Sequence, residues 1–179
     1  MAIEIANLAG AYNLVWPDER WPHPPTSRSV RRINKTLAIE LPESLIEFAK
    51  RSRACVRWMS SLGEDFDSPH HILRVYSRVR RIRRRALGSG GKWEYVKPPS
   101  FVPINKGHDD DFECLVTSER NPETGEYPIQ YWSPPRILGP TRNASFPEYM
   151  EETLRAWAAS MRPPIRDRVL AILSADGSE

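Results

Sequence analysis

The feature that most constrains the fold is a stretch at residues 101–132 in which apolar and polar side chains alternate in short runs. In the middle run, Phe112, Cys114 and Val116 alternate with the residues between them. A period of two places successive side chains on opposite faces of a strand. Polar turns separate the runs, and the turn at 121–125 combines proline with a glycine that tolerates a positive φ. The pattern predicts an antiparallel meander of three strands with one face fit for burial.

Helices are predicted on both sides of this meander in the sequence. Apolar residues with helical spacing lie at 30–37, 45–49, 72–86, 146–161 and 165–173. Several of these segments begin with a capping residue or a proline, and Ser145 with Glu148 matches a capping box. Short runs at 56–59 and 93–96 predict two further strands, and Pro134-Pro135 is expected to end the sheet. The predicted fold class is α+β, a mostly antiparallel sheet flanked by helices.

The length of 179 residues allows one domain with an extension. Residues 1–26 are rich in proline and tryptophan, so we predict an N-terminal extension there and a single domain at 27–179. We find neither a signal peptide nor an apolar run of about 18 residues, which predicts a cytoplasmic protein with no membrane contact. Cys55 and Cys114 are far apart and lack the spacing of a structural zinc site.

Charge is distributed unevenly along the chain. Residues 1–100 carry 18 Lys and Arg against 10 Asp and Glu, whereas residues 101–179 carry 8 against 13. Seven arginines lie within 74–85, and their spacing places most of them on one side of a helix. This side could be a solvated face, a contact for a protein partner or a surface for nucleic acid. Arg81 and Arg85 are our candidates for contact with a protein partner.

The densest polar cluster is a predicted turn that contains His108, Asp109, Asp110 and Asp111. A calcium or magnesium site needs oxygen ligands that converge, and consecutive aspartates on an extended backbone point to alternate sides. We therefore predict no metal site and no cofactor. The aspartates form either a solvated turn or a negative patch that meets a basic partner such as a nuclease.

Four segments of the chain, taken in order, resemble the SUKH superfamily. They are the leucine-proline helix start at 41–48, the strand at 103–104 leading through the acidic turn to 111–115, the strand at 125–132, and the helix start at 145–149. The resemblance spans about residues 29–158. It implies an α+β fold with a curved sheet, and a role without catalysis in which bacterial members bind and neutralise a cognate toxin.

The function expected from the sequence is that of an immunity protein that binds a cognate toxin, with Asp109, Asp110, Asp111, Arg81 and Arg85 as candidate contacts. We expect no enzymatic activity, and nucleic acid is not expected as a partner. The alternative is a nucleic-acid-binding or regulatory scaffold module that uses the arginine-rich helix at 72–86. The sequence predicts neither the identity of the toxin nor the oligomeric state.

Overall fold

The computed structural model describes residues 3–15, 25–52, 77, 81, 101–106, 112–133 and 136–175. Its elements, in chain order, are α1 (Ile5–Val15), α2 (Ser27–Leu37), α3 (Glu43–Arg51), β1 (Phe101–Lys106), β2 (Phe112–Val116), a short 3-10 helix (Thr117–Glu119), β3 (Ile129–Ser133), β4 (Arg136–Asn143), α4 (Phe146–Ala159) and α5 (Pro163–Ser174). Five α-helices and one sheet in the described part confirm the predicted α+β class.

The four strands form one antiparallel sheet in the order β1-β2-β3-β4. The β2–β3 register pairs Cys114 with Gln130 and Leu115 with Ile129. The turn between these strands contains Gly125 at φ 72°, as its position in the predicted turn requires. The side chain of Asn121 supports this turn because its Oδ1 accepts hydrogen bonds from the backbone N–H groups of Glu123 and Thr124.

Strand β4 was not predicted, and the expectation that Pro134-Pro135 ends the sheet is wrong. The sheet continues at Arg136, which pairs with Ser133 of β3. Proline removes only its own N–H, so prolines between two strands remove no hydrogen bond from either ladder. Pro140 lies within β4, which pairs only with β3 in the described sheet. An edge strand with a register irregularity tolerates proline, and the β3–β4 register is irregular here.

Both faces of the sheet carry buried residues. The predicted face carries Phe112, Cys114 and Val116, and it is inaccessible to solvent or nearly so. The opposite face carries Leu115 and Ile129, which belong to the same hydrophobic core as the helices. The described helices therefore pack on the face that carries Leu115, although β2 places more apolar residues on the other face. Burial thus extends to both faces, whereas the alternation predicted burial of one.

Helix α1 lies in the segment that the sequence placed in an extension, and it belongs to the main core. Leu8 and Tyr12 are almost fully buried, and the Tyr12 ring meets the Phe48 ring of α3 at 5.4 Å in an edge-to-face arrangement. Asn7 Nδ2 also donates to the carbonyl of Ala175 after α5. Residues 5–15, within the predicted N-terminal extension at 1–26, therefore pack into the same core as the other described helices.

Local capping chemistry sets the helix starts. Before α2, Thr26 accepts a hydrogen bond from the Ser29 N–H, and the Ser29 side chain accepts one from the Thr26 N–H. Before α4, Ser145 accepts from the Glu148 N–H, so the predicted cap is present. The Glu148 carboxylate accepts from the Ala144 N–H instead of the Ser145 N–H, so the second bond of the predicted capping box differs. Helix α2 ends at Ala38, whose φ of 53° is in the left-handed region.

Several predictions fall outside the described residues. They concern the proline-tryptophan segment at 16–24, the strands at 56–59 and 93–96, and most of the helix at 72–86. Within that last segment Ser77 and Arg81 are described, and both are helical and exposed. A separate finding concerns membranes: among the helices of the described ranges, none combines the length and apolar character that crossing a bilayer requires.

Candidate functional site: an acidic groove beside helix α4

A groove with a volume of about 310 Å³ lies between helix α4 and one face of the sheet. It is lined by Glu113, Ile129, Tyr131, Asn143, Tyr149, Glu152, Thr153, Ala156 and Trp157. The volume is at the lower limit of pockets that hold small ligands, and it suits one or two side chains of a partner. The lining combines carboxylates with aromatic rings, which makes the groove the strongest candidate for a functional site in the described part of the chain.

The sheet wall of the groove follows from strand register. Glu113 of β2 pairs with Tyr131 of β3, and Ile129 of β3 pairs with Asn143 of β4. Residues two apart on a strand share a face, so these four side chains lie on the face that also carries Leu115. At the Leu115 end this face is filled by the core, and near Glu113 it becomes polar and borders the groove.

The helix wall follows from helical period. Residues 149, 152, 153, 156 and 157 are spaced by three, one, three and one along α4, so they form one stripe. Buried Leu154 and Met150 lie beside this stripe and join α4 to the core. The Trp157 ring also lies 6.2 Å from the Tyr12 ring of α1, which fixes one wall of the groove against the helical core.

A hydrogen bond across the groove orients Glu152. Asn143 Nδ2, at the end of β4, donates to Glu152 Oε2 at 2.6 Å. Asn143 is largely buried, so its amide is a fixed donor and not a mobile surface group. The bond uses one oxygen of an exposed side chain, and a carboxylate has acceptor capacity for several donors.

The arrangement is suited to binding a cation. A guanidinium or ammonium group forms strong charge-assisted hydrogen bonds with carboxylates. The faces of tyrosine and tryptophan rings attract the same groups. Carboxylates from β2 and α4 and rings from β3 and α4 would therefore favour an arginine or lysine side chain of a partner. Within the described ranges, no three His, Cys, Asp or Glu side chains are grouped so that they could hold a metal ion.

The structure describes one of the five predicted contact residues. Arg81 is helical and exposed, and it does not line the acidic groove. Asp109, Asp110, Asp111 and Arg85 lie outside the described residues, so their roles stay predictions. The same holds for the alternative function based on the helix at 72–86.

The sequence did not predict Glu113 and Glu152 as site residues. Glu113 follows the acidic turn in sequence, with only Phe112 between it and Asp111. The alternation of β2 could have indicated this residue, because a period of two places the Glu113 carboxylate on the same face of the strand as Leu115. For Glu152 the helical period of α4 gave its position relative to Trp157, but its partner Asn143 lies on a strand that the sequence did not reveal.

A second groove, of about 630 Å³, lies between the end of α2 and the turn before β3. Arg120 is one of its lining residues and forms an ion pair with Glu40 at 2.9 Å, while its guanidinium carbon lies 5.8 Å from the centre of the Tyr127 ring. The Arg120 cation is thus already paired within the chain, and Lys35 is a second cation that lines this groove.

Two titratable groups elsewhere in the described ranges have a shifted pKa. Hydrogen bonds from Arg51 and then Lys50 lower the pKa of the Glu47 carboxyl on the surface of α3. Burial, followed by the charge of Glu113, raises the pKa of the Cys114 thiol well above its ordinary value. Cys114 lies on the sheet face away from the acidic groove, so its thiol is a neutral component of the interior and not a nucleophile for the site.

Comparisons with known proteins give no relative for this chain. No protein-family model, no curated protein and no solved structure matches it.

Proposed function

We propose that this protein is an immunity protein of the SUKH type, which neutralises a cognate toxin by binding it. The observation that carries this proposal is the acidic groove, where Glu113 and Glu152 lie beside Tyr131 and Trp157. The groove offers a binding site for a basic side chain and needs no catalytic step. The resemblance of four ordered segments to the superfamily supports the same role.

The proposed mechanism of inhibition is electrostatic occlusion. A nuclease binds its substrate in a cationic cleft, and carboxylates that enter or cover this cleft compete with phosphate for the same cations. The predicted acidic turn precedes β2 directly in sequence, so its three aspartates would add to the charge of Glu113. Tight inhibition needs a nanomolar Kd, which corresponds to about −12 kcal/mol. A few buried arginine or aromatic contacts typically supply most of such an energy.

The test uses the toxin encoded beside the gene for this protein. Co-expression should rescue growth, and titration calorimetry of the purified pair should give a Kd in the nanomolar range or below. Glu152→Gln removes one of the two carboxylate charges of the groove and retains an oxygen that can accept the Asn143 hydrogen bond. Truncating one partner of a buried charge pair costs about 2–5 kcal/mol, so this variant should bind at least about 30-fold more weakly.

The matched control is Glu123→Gln, which removes one charge from an exposed turn residue that does not line the groove. It should bind the toxin as the unmodified protein does. Equal weakening by both variants would assign the effect to net charge and exclude the groove as the contact. Absence of binding and of rescue with the adjacent gene product would remove the immunity proposal itself.

A further inference from the structure

Helix α2 carries a stripe of four cations, formed by Arg28, Arg31, Arg32 and Lys35. We call it the α2 stripe. All four side chains are exposed. Their spacing of i, i+3, i+4 and i+7 places them along one side of the helix. At a rise of 1.5 Å per residue the stripe is about 10 Å long.

The α2 stripe has a rigid support. On the opposite side of the helix, Ile33 and Leu37 are almost fully buried in the core. The capping box at Thr26 and Ser29 fixes the first turn. Since the helix is packed and capped before any partner arrives, its cations are presented without the cost of folding a segment on binding.

The described part of the chain does not neutralise the stripe. Helix α2 contains no Asp or Glu. Among the described residues, the ion pairs join other side chains, and the nearest acidic residue in sequence, Glu40, pairs with Arg120. Four exposed cations within about 10 Å repel one another, so a stripe without carboxylates is stabilised by an external anion.

We propose that the α2 stripe binds the phosphate backbone of double-stranded nucleic acid, independently of sequence. Three of its four cations are arginines, whose planar donors match phosphate oxygens in pairs. No aromatic residue lies on α2, so stacking on the bases of a single strand has no platform there. The apolar side of the helix is buried in the core, so it cannot insert into a lipid surface.

This inference is independent of the proposed immunity function, and it departs from the expectation that nucleic acid is not a partner. That expectation weighed the arginines at 74–85 against the acidic second half of the chain. The acidic groove is built by β2, β3, β4 and α4, whereas the stripe belongs to the first 100 residues, which carry 18 Lys and Arg against 10 Asp and Glu. The two charged surfaces therefore have separate structural origins and can be tested separately.

The test is fluorescence anisotropy of the full chain with a labelled duplex of about 20 base pairs at increasing salt. Four phosphate contacts give a slope of about −3.6 for log K against log salt, so tripling the salt should weaken binding about 50-fold. The double variant Arg28→Gln/Arg32→Gln should halve the slope, so the same change should weaken its binding only about 7-fold.

The control is Arg162→Gln/Arg168→Gln, which removes the same charge from exposed arginines near and on α5. It should keep the full slope. The proposal is overturned if the duplex does not bind at about 50 mM salt, a regime in which such contacts are strong, or if both double variants behave alike. It is also overturned if polyglutamate or phosphatidylserine vesicles compete as well as unlabelled duplex, since the stripe would then serve an acidic protein or a membrane. None of these outcomes bears on rescue from the toxin.

Discussion

The carboxylate of Glu126 joins the β2–β3 turn to two helices, and replacing it with glutamine tests how the acidic groove is held in place. Ser44 of α3 donates its hydroxyl to Glu126 Oε1 at 2.5 Å, and the backbone N–H of Phe146 donates to Oε2 at 3.1 Å. Phe146 is the first residue of α4, so the carboxylate lies at the positive end of that helix. The same helix carries Glu152 and Trp157 of the groove.

The magnitude follows from these two bonds. A hydrogen bond to a charged group contributes about 1.5–3 kcal/mol when shielded, and Glu126 is partly exposed, so the lower end applies. The interaction with the helix terminus adds about 0.3–1 kcal/mol. Glutamine retains one carbonyl oxygen but replaces the second acceptor with a donor, which cannot accept from an N–H. We expect Glu126→Gln to lower the free energy of unfolding by about 2 kcal/mol.

The assay is urea denaturation followed by circular dichroism, with a thermal melt in parallel. A loss of this size should lower Tm by about 3–8 °C in a chain of this length. Ser44→Ala removes one donor and should cost about 1 kcal/mol. In the double variant the two losses should not add fully, because Ser44→Ala removes the hydrogen bond whose charge Glu126→Gln removes. Glu123→Gln, in the same turn but exposed, should remain within about 0.5 kcal/mol of the unmodified protein.

Two results would contradict this reasoning. If Glu126→Gln and Glu123→Gln have the same stability, the bridging contacts contribute nothing beyond general surface charge. If the losses of Ser44→Ala and Glu126→Gln add fully, the carboxylate does not act through the Ser44 hydroxyl, and the connection between the turn and α3 has another origin.

Two further predictions concern the interior. In a Cys55→Ser background, the Cys114 thiol should not react with a thiol reagent until the chain unfolds. Burial raises the pKa of this thiol in the folded state above its unfolded value of about 8.5, so the free energy of unfolding should be retained below that pH and should fall as the pH rises above it. The fall should be smaller in Cys114→Ala. Leu8→Ala should lower the free energy of unfolding by about 2–5 kcal/mol in urea, because Leu8 is fully buried, whereas exposed Ile165→Ala should change it by less than about 0.5 kcal/mol. If Leu8→Ala lowers the free energy of unfolding by as little as Ile165→Ala does, the packing of α1 in the core does not contribute to stability.

Local chemistry explains which elements the sequence predicted. The caps at Thr26 and Ser145 and the turn at Gly125 each depend on residues within a few positions, and these features agree with the structure. In β2 the alternation of side chains was enough to assign the strand. In such cases the residues that cause the structure are neighbours in the chain.

The features that the sequence did not predict depend on distant contacts. Strand β4 contains glycine and proline and has little strand character of its own, so its place comes from pairing with β3. Helix α1 has apolar residues at helical spacing, but the adjacent proline-rich segment obscured that signal. Its burial depends on α5, which is more than 140 residues away. The acidic groove also depends on a contact between two elements, because β4 supplies Asn143 and α4 supplies Glu152, and β4 was not predicted.

The same distant contacts make the groove a preformed surface. Helix α4 is held at its start by Glu126, near its middle by the bond from Asn143 to Glu152, and near its end by Arg155 Nη2, which donates to the Leu173 carbonyl of α5 at 3.2 Å. A wall fixed at three points loses little conformational freedom when a partner binds, so more of the contact energy appears as affinity. The charge of the groove and the rigidity of its wall therefore contribute separately to the affinity for a partner. Glu152→Gln reduces the first while retaining an acceptor for Asn143, whereas Glu126→Gln loosens the start of α4 and leaves the groove carboxylates in place.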